Sequence, residues 1–146
     1  MRKAITIALT LTALAVPNVN AFASVAAQRT IPKKKIIIAT RSFTGVAAQA
    51  DRWGEVQVKI VVKKTTTTVI KTKKKTVTRK IVAVKVPVSP NHTDRSVFIN
   101  QQALPILIQE TLQAQSTGIN MVSGATDSSF AFQSSLQSAI LMAKAW

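Results

Sequence analysis

The stretch Ser123-Gly124-Ala125-Thr126-Asp127-Ser128 holds the residue types best suited to chemistry in this chain. Ser123, Gly124 and Ala125 carry so little side-chain bulk that an outside group can approach the backbone closely. Before them, Ile119-Asn120-Met121-Val122 reads as a short apolar strand. After them, Phe130, Phe132, Leu136, Ala139, Ile140 and Ala143 recur at the spacing of an amphipathic helix. Asp127, Ser128 or Ser129 can cap that helix. The expected local structure is therefore strand, tight turn and helix start. Free N–H groups in a first helical turn, with the positive end of the helix dipole, favour a bound phosphate. Thr126 is expected at the mouth of that turn, its hydroxyl facing the same spot.

With its neighbours, Val122-Ser123-Gly124-Ala125-Thr126 resembles the S-G-A-T signature of the FMN-binding domain family. That family includes the flavin-carrying subunits of sodium-pumping NADH:quinone reductases and Rnf complexes. Further segments resemble the small exported actinobacterial-type members: Ile99-Asn100-Gln101-Gln102-Ala103-Leu104-Pro105-Ile106-Leu107, Glu110-Thr111-Leu112 and Ser135-Leu136-Gln137-Ser138-Ala139. Gly54-Glu55-Val56-Gln57-Val58 resembles their first core strand. The resemblance implies FMN joined to Thr126 by a phosphoester bond, installed by an FAD-dependent flavin transferase. It also implies a membrane or extracytoplasmic redox partner. Ser123, Gly124 and Ala125 would give the phosphate backbone donors and clearance, and Ser128 a hydroxyl. Two positions depart from the family pattern. Asn120 stands where an Asp precedes the modified Thr, which removes a carboxylate from the site the transferase must recognise. Asp127 follows Thr126 and brings negative charge beside the phosphate position.

The elements that must position this site are legible in outline. At 146 residues and 15.7 kDa the chain has room for one small domain. Without Cys there is no disulfide, thiolate metal site or thiol nucleophile, and the lone His92 argues against a His-rich metal centre or a Ser-His-Asp relay. Met1-Arg2-Lys3 followed by an apolar run at 4–16 reads as a signal peptide over residues 1–23, cut before Ser24. An uncleaved anchor is the other reading of that segment. Residues 24–44 read as a linker, in which Ile36 to Ile38 leave an edge strand open. Residues 45–146 read as the FMN-binding domain.

Within that domain Val56, Val58, Ile60 and Val62 alternate as the inward side of a strand, and residues 81–86 form a second strand stopped by Pro87. Between them, residues 63–80 form a Thr/Lys-rich basic hairpin insertion, its β-branched threonines favouring strand. Ser96 is the expected cap of a first helix, Pro105 the point that divides it into a kinked or two-part unit, and Gly118 its stop. The fold class expected is α+β, a small antiparallel sheet packed with a kinked helix and a C-terminal helix.

Two roles are open to Trp53, lying near the flavin ring or packing in the core. Asn100 is open to hydrogen-bonding the cofactor or holding the Pro105 kink. Trp146 reads as a frayed end. The function expected is an exported FMN carrier for extracytoplasmic electron transfer, with no catalytic base and no metal ligands of its own. The alternative is a secreted basic adhesion module contacting anionic wall polymers or lipids, in keeping with a formal charge of +15. Nucleic acid is not an expected partner, since no aromatic interleaves with the lysines to stack on bases.

Overall fold

In the computed structural model residues 33–146 are described, and the signal-peptide segment lies outside them. The organising element is a long strand, β3 (Glu55–Val69), after β1 (Lys34–Thr44) and β2 (Ala48–Gln49). The inward residues expected of it, Val56, Val58, Ile60 and Val62, are all buried. A five-residue turn over 70–74 leads into β4 (Lys75–Val88). β4 pairs antiparallel with one side of β3, while β1 and β2 pair end to end along the other. The rest is helical: α1 (Asp94–Ala114) and α2 (Thr126–Ala145). The chain is thus α+β, an antiparallel sheet with two helices, as the patterning implied.

The core lies between the sheet and α2. Phe132, Leu136 and Ala139 of α2 pack with the four inward residues of β3, Ile81 and Val84 of β4, and Leu107 of α1. Polar groups hold α2 in place where the β1–β2 edge is broken. Between β1 and β2 the chain bulges at 45–47, so β3 loses a ladder partner there. The Val58 N–H donates instead to the Ser135 hydroxyl at 2.9 Å, and the Val46 N–H to the Ser138 hydroxyl at 2.7 Å. Ser135 is 1% exposed, so its removal strands a buried amide. Ser135→Ala is expected to destabilise the domain by about 1–3 kcal/mol, read as a lowered urea midpoint with an unchanged slope.

Several expectations are corrected. Residues 34–44 are not linker: β1 runs antiparallel to β3 along its full length, from Lys34 opposite Val69 to Thr44 opposite Lys59. The Thr/Lys-rich hairpin at 63–80 is real, with Lys63 opposite Lys80, and β1 makes it a three-stranded blade. Lys63–Lys80, Lys64–Arg79 and Lys59–Lys85 are directly opposed like charges, each costing a few tenths to about 1 kcal/mol. Pairing on both sides of β3 offsets that repulsion.

α1 is one uninterrupted helix through Pro105, because Ala103 on one side of the proline and Leu107 and Thr111 on the other are all buried. Its cap is Thr93, not Ser96: the Thr93 hydroxyl accepts from the Ser96 N–H at 3.1 Å. Gln115, not Gly118, ends it in a left-handed conformation with φ of 53°. The Gln115 side chain then donates to the Ile81 carbonyl at 3.0 Å and accepts from the Ile81 N–H at 2.8 Å, tying α1 to β4. The strand expected at 119–122 does not form. Ile119 and Val122 pack on the core, but their N–H groups go to the Thr117 carbonyl and the Ser129 hydroxyl, so no ladder exists there. Trp146 is not frayed. It lies 5.7 Å from Phe43 between ring centroids and 4.9 Å beneath the Lys64 ammonium, which also donates to the Trp146 main-chain oxygen.

Candidate functional site

The turn before α2 is built by its own small residues. The Ala125 N–H donates to the Val122 carbonyl at 3.0 Å, closing a four-residue turn in which Gly124 has φ of 80°. That third position of a type II turn needs positive φ, which glycine adopts without strain. Ser129 locks the turn from within the helix. Its hydroxyl donates to the Ala125 carbonyl at 2.8 Å and accepts from the Val122 N–H at 3.2 Å. Ser129 therefore braces the turn rather than capping the helix. Thr126 is the first residue of α2, and neither Asp127 nor any other side chain caps it. The N–H groups of this first turn are left for water or a ligand, while Thr126 itself is exposed.

A cleft of about 200 Å³ opens at this turn. Gly124, Ala125, Thr126, Asp127 and Ser128 form one wall; Arg95, Ser96, Ile99 and Asn100, from the first turns of α1, form the other, closed by Trp53 and Pro90. Two helix N-termini therefore meet at one opening. Six of the seven expected site residues, Thr126, Gly124, Ala125, Ser128, Asn100 and Trp53, line it. Ser123 does not, and it is exposed.

Trp53 is half-buried and stands apart from the core, which corrects the core-packing role. The Arg52 guanidinium lies 5.0 Å from its ring centroid. Asn100 does not brace Pro105. Its amide N–H donates to the Pro90 carbonyl at 2.9 Å, fixing the loop that floors the cleft. The Asn100 Oδ1, on a side chain 4% exposed, has no hydrogen-bond partner. Asn120 lies outside the cleft and donates to Glu110 Oε2 at 3.2 Å.

Arg95 is a site residue that the sequence motifs do not mark. One signal was present: between residues 86 and 143 it is the only Lys or Arg. A guanidinium in a cleft between helix N-termini is suited to bidentate phosphate binding. Arg95→Glu is expected to lower the cleft's affinity for inorganic phosphate by about tenfold, and Asp127→Asn to raise it, by titration calorimetry at low ionic strength. Equal affinities in all three proteins would remove both residues from the site.

The fold and cleft define a small α+β domain with a phosphate-suited opening beside an exposed threonine hydroxyl. No protein-family model matches the chain, and no curated protein matches it either.

Proposed function

We propose that the chain is an exported FMN-carrying domain, with the flavin phosphate esterified to Thr126 and the ring presented to an extracytoplasmic redox partner. The observation that carries this reading is the convergence of an exposed Thr126, the uncapped N-terminus of α2 and Arg95 on one cleft. The residues fit the group. The first-turn N–H groups of α2 and the Arg95 guanidinium would hold phosphate oxygens. Asn100 would hold the cleft wall through its bond to the Pro90 carbonyl, and Trp53 offers an apolar wall. At about 200 Å³ the cleft is smaller than the roughly 300–1,000 Å³ pockets that enclose drug-sized ligands. It suits one end of a flavin nucleotide and leaves the other end in reach of a partner. The bound group supplies the redox chemistry; the chain supplies attachment, orientation and an anion site, and needs no base of its own.

The test is export of the full chain from a host that also makes an FAD-dependent flavin transferase, followed by denaturation and intact mass. A yellow denatured protein, heavier by one FMN less one water, supports the reading. Colourless protein of unmodified mass, from a host that flavinylates a control substrate, overturns it.

A further inference from the structure

The end of the sheet farthest from the cleft carries a second surface that the flavin reading does not use. Lys33 precedes β1, which opens on Lys34 and Lys35, and four more lysines at 71 and 73–75 occupy the facing turn and the start of β4. No acidic residue occurs between 56 and 93, or from 33 to 50, so this charge has no internal counterion. Ile70, 58% exposed, stands among the lysines, and Ile36 at 59%, Ile37 at 51% and Ile38 at 56% follow them along β1. The two lysine runs are joined here, the Lys33 carbonyl accepting from the Ile70 N–H at 3.0 Å.

We infer that this blade tip docks on an anionic lipid bilayer, with its lysines on the head groups and Ile70, in the turn between them, entering the interface. Charge alone would serve a soluble polyanion equally well. The exposed Ile70 decides between the two, since apolar side chains gain from insertion at a bilayer interface and gain nothing from a hydrated polymer. Clusters of four to eight Lys or Arg are the size that recognises anionic head groups, each contributing measurably within a Debye length. β3 spans the molecule with 15 residues, so the cleft stands about 45 Å from the tip. Docking by the tip would leave the Thr126 cleft facing away from the bilayer, whether or not Thr126 carries a flavin.

Sedimentation of the full chain with phosphatidylcholine vesicles, with and without phosphatidylglycerol, tests this. The phosphatidylcholine arm reports whatever the apolar run at 4–16 contributes, and the increment from phosphatidylglycerol reports the tip. The increment is expected to fall with salt. It should drop about 100-fold or more in the combined variant K71Q, K73Q, K74Q and K75Q, which removes four contacts. Ile70→Ser is expected to weaken vesicle binding several-fold and to leave binding to soluble polyphosphate unchanged. Both variants change exposed positions and should melt with the parent chain. A wild-type protein indifferent to phosphatidylglycerol overturns the inference. So does an Ile70→Ser protein that binds vesicles like the parent, which would make the tip a surface for hydrated polyanions.

Discussion

Replacing Thr126 by Ala is expected to abolish the flavin adduct completely, leaving colourless protein of unmodified mass in the host and export conditions that label the parent chain. The hydroxyl oxygen is the only atom through which the phosphoester can form at this residue, and Ala has none. Thr126 is exposed, and its side chain makes no capping bond to α2. Its loss should therefore change stability by no more than about 0.5 kcal/mol. That pairing of outcomes is what distinguishes attachment from scaffolding: total loss of label with an unchanged melting curve. Thr126→Ser, which keeps a hydroxyl at the same place, is expected to retain label at a reduced fraction. Colour that stays with the denatured Ala variant would move the attachment point elsewhere and end the assignment to Thr126.

Gly45→Ala is expected to be the most damaging single methyl in the molecule. A Cβ built at Gly45 would lie 2.0 Å from the Ser135 carbonyl oxygen and 2.7 Å from its hydroxyl. The obstacle is helix backbone, which cannot rotate away, so α2 must lift off the sheet. Lifting it pulls Ser135 from the Val58 N–H and Ser138 from the Val46 N–H, and opens the packing of Phe132, Leu136 and Ala139. Overpacking costs about 1–3 kcal/mol and a stranded buried amide about 1–3 more. The sum, about 2–6 kcal/mol, approaches the whole stability of a small domain. The variant should lose cooperative thermal unfolding by circular dichroism. Gly118→Ala is the control: its Cβ would meet only the Ser116 hydroxyl at 3.6 Å, and it should melt with the parent. A Gly45→Ala protein that also melts with the parent would refute the close contact between α2 and the β1–β2 break.

What could be read beforehand follows one physical line. Val56, Val58, Ile60 and Val62 alternate with polar or half-exposed neighbours, and a strand buried on one face writes that period into consecutive residues. The helix face at Phe132, Leu136 and Ala139 is local in the same sense. β1 was harder: Ile36, Ile37 and Ile38 are consecutive and all exposed, so no alternation marks the strand. It exists because β3 offers it an open edge. The run at 119–122 misled in the opposite direction, since its apolar pair Ile119 and Val122 serves a loop pinned by Thr117 and Ser129. Capping residues were misplaced for a related reason. Thr93 and Ser96 lie three apart and both carry hydroxyls, so composition favours neither; the extended backbone at Thr93 decides it.

By itself the sequence determined the class of the fold, the inward face of β3, the basic hairpin and the small-residue turn before α2. Each of these depends on residues within a few positions of one another, where period and turn chemistry are set by local sterics. Only the tertiary structure decided that Arg95 and Asn100 come to face Thr126, that Ser135 completes a broken sheet edge, and that the lysines at 33–35 and 71–75 meet at one end of the sheet. Those depend on how α1 and α2 pack across the sheet, a contact between segments tens of residues apart whose register no local period records.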